Sequence, residues 1–299
     1  MKPQWFKKKF AKQPDDANGL PLIVALDGFL SAGNVGSLVT KVLRQNDHGT
    51  VYEFDVDSLI DHRARRPGLK FNNDHYHDYR PHRRAVTQHH DLEGAGYLLL
   101  SGPEPDYGWD AFVDEVHDIV DEHDIPLVLS VGGVPMGVPH TRPPLLTSHG
   151  TRPELVDRKN LWDAEIQIPA SVQSLLELRL GESHHDAAGY VVHVPHYLAQ
   201  VDYPTAALEL IDAVGTRLDR IFNVEQLIIE EDLTNTQIKS QIDEQGGLDV
   251  LEGLEQQYDA FHSGGETSLL ADSEELPSGE ELAHQFEEFL ARQTGEDQN

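Results

Sequence analysis

The stretch LPLIVALDGFLSAGNVGSLVTKVL, Leu20–Leu43, decides the fold. Leu20 to Leu26 is a short apolar run of the kind that forms a buried strand. It stops at Asp27, and Gly28, Ser31, Gly33, Asn34 and Gly36 follow as turn residues. The period then changes. Val35, Leu38, Val39, Val42 and Leu43 fall at i, i+3, i+4, i+7 and i+8, one face of a helix. Val51 to Val56 alternates, which predicts a second strand and makes this region a βαβ unit with a right-handed crossover.

The alternation continues outward from that unit. Strands are predicted at Tyr97–Leu100, Leu127–Val131, Ala164–Ile168 and Tyr190–Val194. Helices are predicted from Trp109 to Glu122, Ser171 to Leu180 and Thr205 to Ile221. Repeated βα units with apolar strands imply a mostly parallel sheet covered by helices on both faces, a three-layer α/β/α sandwich. Beyond Ile221 strong strands cease. Ile238, Ile242, Leu248, Leu251 and Leu254 suggest helices interrupted at Gly246-Gly247. Ser278 with Glu281 has capping-box spacing ahead of a last amphipathic helix through Leu282, Phe286, Phe289 and Leu290. The expected division is a basic lead over 1–19, an α/β core over 20–222, and an acidic helical extension over 223–299.

Composition narrows the function classes. The 299 residues include no cysteine, which excludes disulfides, thiol catalysis and cysteine-based zinc sites, and points to the cytoplasm. No apolar run approaches membrane-span length, and the lysine-rich start lacks the apolar core of a secretory signal. The net charge is −29, and residues 224–299 hold 20 acidic against 2 basic side chains. Such a field opposes binding to nucleic acid or anionic membranes. Segment 62–84 runs the other way, with Arg63, Arg65, Arg66, Lys70, Arg80, Arg83 and Arg84 against Asp74 and Asp78. It reads as a basic arm meeting an acidic surface, such as a neighbouring subunit's tail.

Three features in order carry a family resemblance. They are the strand-to-helix turn over residues 21–36, the loop Gly132-Gly133-Val134-Pro135, and His193-Val194-Pro195-His196-Tyr197-Leu198-Ala199 with Tyr203-Pro204. In this order the chain resembles the proteasome assembly chaperone 2 family, in particular its actinobacterial branch, over roughly residues 20–222. The resemblance implies an α/β/α sandwich similar to the nucleoside phosphorylase fold and a homo-oligomer, with a trimer as the family-level expectation. It supplies no catalytic residues. Chaperone relatives that dock on proteasome rings use a hydrophobic-Tyr-any tail, whereas this sequence ends Gly295-Glu296-Asp297-Gln298-Asn299, so docking by that route is not expected.

Candidate ligand-binding residues sit where parallel sheets bind ligands, outside the carboxyl ends of the strands. Asp27, Gly28, Ser31, Gly33, Asn34 and Gly36 would line an anion site at a helix N-terminus. The spacing is neither GxGxxG nor a P-loop, and the glycines would equally serve a tight turn. Gly132 and Gly133 would form the pocket floor, while His193 and His196 at the rim of a central strand would move protons. Ser148 beside His149 makes no triad by sequence adjacency, and no Gly-x-Ser-x-Gly elbow is present. Histidine is abundant, with pairs at His75/His77, His89/His90, His184/His185 and His193/His196; His75 and His77 could share a metal if extended, but no His-Glu-x-x-His helix is present. No metal, cofactor or catalytic residue is assigned. The leading expectation is a non-catalytic homo-oligomeric assembly or scaffold protein; the alternative is a small-molecule enzyme or binder with an anion site at Gly28–Gly36. Bulky side chains filling the space between the glycine loops would favour the scaffold.

Overall fold

A computed structural model describes residues 17–158, 160, 165–245 and 248–263. The sequence-expected helix over 278–290 and most of the basic lead lie outside these residues. The strands of the main sheet are β1 (Leu22–Asp27), β2 (Asp47–Glu53), β5 (Ala85–His90), β6 (Gly96–Pro103), β7 (Val128–Met136), β8 (Leu146–Gly150) and β9 (Ala187–Pro195). A separate hairpin pairs β3 (Gly68–Asn72) with β4 (His75–Arg80). The helices are α1 (Val35–Leu43), α2 (Trp109–Glu122), α3 (Val172–Glu182), α4 (Pro204–Leu218), α5 (Glu225–Gln245) and α6 (Leu248–Ser263).

The main sheet has the order β2-β5-β6-β1-β7-β9-β8. Its centre, β6-β1-β7-β9, is parallel, and the pairs β2–β5, β5–β6 and β8–β9 are antiparallel. The sheet is therefore mixed. β2 runs in the direction of β1 but sits three places away at the edge, because β6 and β5 come between them. Alternation along the central strands divides the core between two faces. Ile23, Ala25, Leu99, Leu129, Val131, Val192 and Val194 pack with α1, α4 and α5 on one face. Leu22, Val24, Leu26, Leu98, Leu100 and Val128 pack with α2 and α3 on the other. These are the three layers of an α/β/α sandwich.

Several elements differ from the sequence reading. Residues 165–168 form no strand, and Ile166 and Ile168 are exposed; two alternating isoleucines do not make a strand where no neighbour offers a ladder. β5 and β8 were hidden by their polar content. Thr87, Gln88, His89 and Ser148 are buried, their backbones satisfied by pairing with β6 and β9. Segment 62–84 is not a free basic arm. Arg84 is fully buried and donates to the Pro103 carbonyl, Arg65 pairs with Asp106 at 3.1 Å, and Lys70 and Arg80 converge on Asp78. Its hairpin instead exposes Leu69, Phe71, Tyr76 and Tyr79.

The chain beyond α4 returns to its own core. Leu227 and Ile238 of α5 are buried in the cluster with α1 and α4, and Lys41 pairs with Glu230 at 2.6 Å. On α6, Tyr258 donates to the Pro143 carbonyl, and Asp259 accepts from Arg142 at 2.6 and 2.8 Å. No helix among the described residues is long and apolar enough to cross a membrane. Since α5 fills one face of the core, Leu227→Ala should cost about 2–4 kcal/mol and lower the urea midpoint of a single unfolding transition. An unchanged midpoint would mean that α5 folds apart from the sandwich.

Candidate functional site

β1 and β7 pair from Leu22 to Val24 and then separate, opening a crevice at their carboxyl ends. The turn after β1, carrying Gly28 through Gly36, enters it. Gly132 and Gly133, expected as a loop, lie in the middle of β7 and pair with Val191 and Val192 of β9. The turn reaches them: Gly133 N–H donates to the Leu30 carbonyl at 2.8 Å, and Ser31 bridges Gly133 in parallel. Gly33, with φ +66°, lies against Val194 of β9 and Tyr203, and its N–H reaches the Ala199 carbonyl. Ser31 Oγ accepts from Gly28 N–H at 2.7 Å, which closes the turn on itself. Asn34, also left-handed, donates to Asp202 at 2.7 Å. Gly36 opens α1 beside the Asp27 side chain.

The crevice is filled by the protein's own side chains. Glu104, at the end of β6, is buried and accepts from Phe29 N–H at 2.9 Å and from Val172 N–H at 2.7 Å. Val172 is the first residue of α3, so a carboxylate of the chain lies at a helix N-terminus, where an anion is favoured. Gly28 is glycine for this reason. A Cβ there would lie 2.5 Å from Glu104 Cβ, closer than carbon atoms approach. Gly132 is likewise covered by Leu30, whose Cβ would be 2.7 Å from an added Cβ. Between the separating strands, Gln173 accepts from Leu26 N–H at 2.8 Å and donates to the Val131 carbonyl at 3.1 Å. Its amide replaces the missing ladder rung. The space bounded by Leu26, Phe29, Leu30, Glu104, Ser171 and Gln173 is too small to admit a water molecule.

The two rim histidines do not meet in one arrangement. His193 is buried within β9, its N–H donating to the Leu145 carbonyl and its Nε2 2.9 Å from Thr147 Oγ1. Burial lowers its pKa to about 4, so it is neutral near pH 7. His196 is exposed, its ring edge-on to Tyr197. Ser148 and His149 are consecutive residues of β8, so their side chains leave opposite faces and turn to different partners: Ser148 Oγ donates to Asp157, whereas His149 Nδ1 lies 2.7 Å from Glu177. Glu104, Gln173 and Leu30 were not among the residues expected at the site. Glu104 stands among the turn formers Gly102, Pro103 and Pro105, and its one visible signal is a carboxylate immediately after a central strand.

Two measurements check this geometry. Glu104→Ala leaves the part-buried Phe29 N–H and the buried Val172 N–H without their acceptor, and should cost about 2–4 kcal/mol in urea denaturation. An effect below about 0.5 kcal/mol would mean that neither bond holds the fold. The second uses acid. His193 takes up a proton more readily unfolded than folded, so its contribution to stability should fall as pH drops from about 6.5 to about 4 and be fully lost below that. His193→Gln should flatten that slope, by up to about 1.4 kcal/mol per pH unit. An identical slope in the variant would show that His193 is accessible to protons in the fold.

Residues 25–242 match the PAC2 family. A Mycobacterium tuberculosis protein of unknown function is 34% identical, with 84% of this chain and 86% of that one covered at a TM-score of 0.77. A protein of unknown function from Corynebacterium glutamicum is 30% identical, covering 84% of this chain and 96% of its own, at a TM-score of 0.79. A second M. tuberculosis protein, described as a proteasome-assembly chaperone homologue, shares the fold at 19% identity, with 75% and 95% covered and a TM-score of 0.69. No curated protein matches the chain. With the family match spanning most of the sandwich and α5, the chain belongs to the PAC2 family.

Proposed function

We propose that this chain is a non-catalytic, homo-oligomeric assembly or scaffold protein. In this reading it acts in the cytoplasm, and its partners are further copies of itself, three in the assembly, together with other proteins. One observation carries the reading: the crevice where a sheet of this kind would hold a ligand is packed with Leu30, Glu104 and Gln173. An anion brought to the Gly28–Gly36 turn would meet the Glu104 carboxylate already seated on the Phe29 and Val172 N–H groups. The alternative, a small-molecule enzyme or binder of nucleoside-phosphorylase-like fold, needs Glu104 and Leu30 to leave. The net charge of −29 speaks against nucleic acid and anionic membranes as partners. Assembly work is taken from the name of the second M. tuberculosis protein, the chaperone homologue.

The β3–β4 hairpin supports self-association. Phe71 and Tyr76 are 59% and 71% exposed, their rings 5.1 Å apart, with Leu69 and Tyr79 on the same projection. An apolar projection of this kind marks an interaction surface. The test is light scattering on the full chain, with thermal unfolding in the presence of phosphate, nucleosides and nucleotides. A mass that is a multiple of 33.4 kDa, reduced in Phe71→Ser/Tyr76→Ser, with no ligand raising the melting temperature, is the expected result. A monomer whose melting rises by several degrees with one of these ligands would replace the scaffold by the binder, since a ligand at 100 times its Kd adds about 2.7 kcal/mol.

A further inference from the structure

Three donor groups converge between α2 and the turn after α3. His117 and Asp121 stand one helical turn apart on α2 and so share a face. His185 comes from the connection into β9. His117 Nδ1 is 3.4 Å from one Asp121 oxygen, and His185 Nε2 is 3.1 Å from the other. One donor atom from each residue falls within 4.8 Å of the others. Two ligands of one tetrahedral zinc ion, each at about 2.0–2.1 Å, stand about 3.3 Å apart, close to these separations.

The surroundings set both histidines. Ser183 Oγ lies 2.8 Å from His117 Nε2 and donates to the carbonyls of Arg179 or Leu180 at 3.0 and 3.1 Å. With its single hydrogen so engaged, Ser183 accepts from His117 Nε2–H. The ring's other nitrogen, Nδ1, then faces the Asp121 carboxylate and the His185 ring, the direction from which a shared cation would be bound. His185 is placed by the helix end: its N–H donates to the Leu180 carbonyl, the His184 N–H donates to the Gly181 carbonyl, and His184 takes φ +66°. This is a Schellman ending with histidine in the left-handed position usually held by glycine. The α2 segment adds charge of the right sign, with six carboxylates and no lysine or arginine among its 14 residues.

We propose that His117, Asp121 and His185 form a site for one divalent transition-metal ion of the zinc class. Two imidazoles and a carboxylate suit such an ion better than magnesium or calcium, which prefer oxygen ligands alone. The donors are partly exposed, so water completes the coordination. The ion clamps α2 to the α3–β9 turn, and Ser183 is a positioning residue that holds the His117 ring.

Cobalt(II), which reports tetrahedral coordination by its visible absorption, is the probe, titrated into metal-stripped, tag-free full-length protein. One equivalent should produce the visible band and raise the melting temperature. Its affinity should fall more than tenfold in His117→Gln, in His185→Gln and in Asp121→Asn, and about tenfold in Ser183→Ala. His184→Asn, which keeps the left-handed turn, should bind as the wild type does. Unfolding in chelator shows whether each variant is folded, and Asp121→Asn, on the helix surface, serves if a histidine variant is not. Cobalt lost on dialysis from the wild type would overturn the proposal. So would cobalt held equally by the wild type and the Asp121 and His185 variants, which would place it on other histidines of the 17 in the chain.

Discussion

The carboxylate of Glu104 is shared between two backbone N–H groups that belong to different parts of the chain. Phe29 lies in the turn after β1, and Val172 begins α3. Glu104 itself extends from the end of β6, and its own N–H donates to the Asp27 carbonyl at 2.8 Å. One side chain thus ties the ends of two central strands to the start of a helix on one face. A carboxylate accepting two amide N–H bonds at a helix N-terminus is a strong arrangement, because charge assists both bonds and the helix dipole adds to them. The rest of the site follows from it. Gly28 must be glycine to admit Glu104, the turn must close through Ser31, and Gln173, one residue past Val172, falls where β1 and β7 separate.

The apparent basic arm takes its meaning from the same interaction. Arg84 donates to the Pro103 carbonyl and lies over the Phe112 ring, while Arg65 donates to the Glu104 carbonyl and pairs with Asp106. The two arginines hold the turn that delivers Glu104 into the crevice. Two of the seven cations of this segment are therefore used inside the fold. What remains outward on this segment is the aromatic hairpin, and surface contact by rings needs no charge complementarity.

Much of the sandwich was legible because its signals are local. The α1 periodicity fixed a helix over Val35–Leu43, and the apolar runs at β1, β6, β7 and β9 marked the parallel centre. Two antiparallel strands were not legible: β5 and β8 bury threonine, glutamine, histidine and serine, and their strand character comes from neighbours distant in sequence. Ile166 and Ile168 show the reverse, a strand-like pattern with no neighbour to pair. The glycines of the crevice were visible as glycines, but their reason was not, since Glu104 and Gln173 lie more than 70 residues away from Gly28 along the chain. A glycine that receives another side chain and a glycine that receives a ligand leave the same mark in a sequence.

The central claim is that the crevice is closed by the protein's own groups, and backbone hydrogen exchange tests it directly. If Glu104 holds the amides of Phe29 and Val172 as described, both should exchange only in the slow openings that expose core strands, at rates comparable to those of Val24 and Leu129. Fast exchange at both amides, with the central strands still protected, would contradict the account. It would mean that Glu104 leaves readily and that the crevice is open to a ligand.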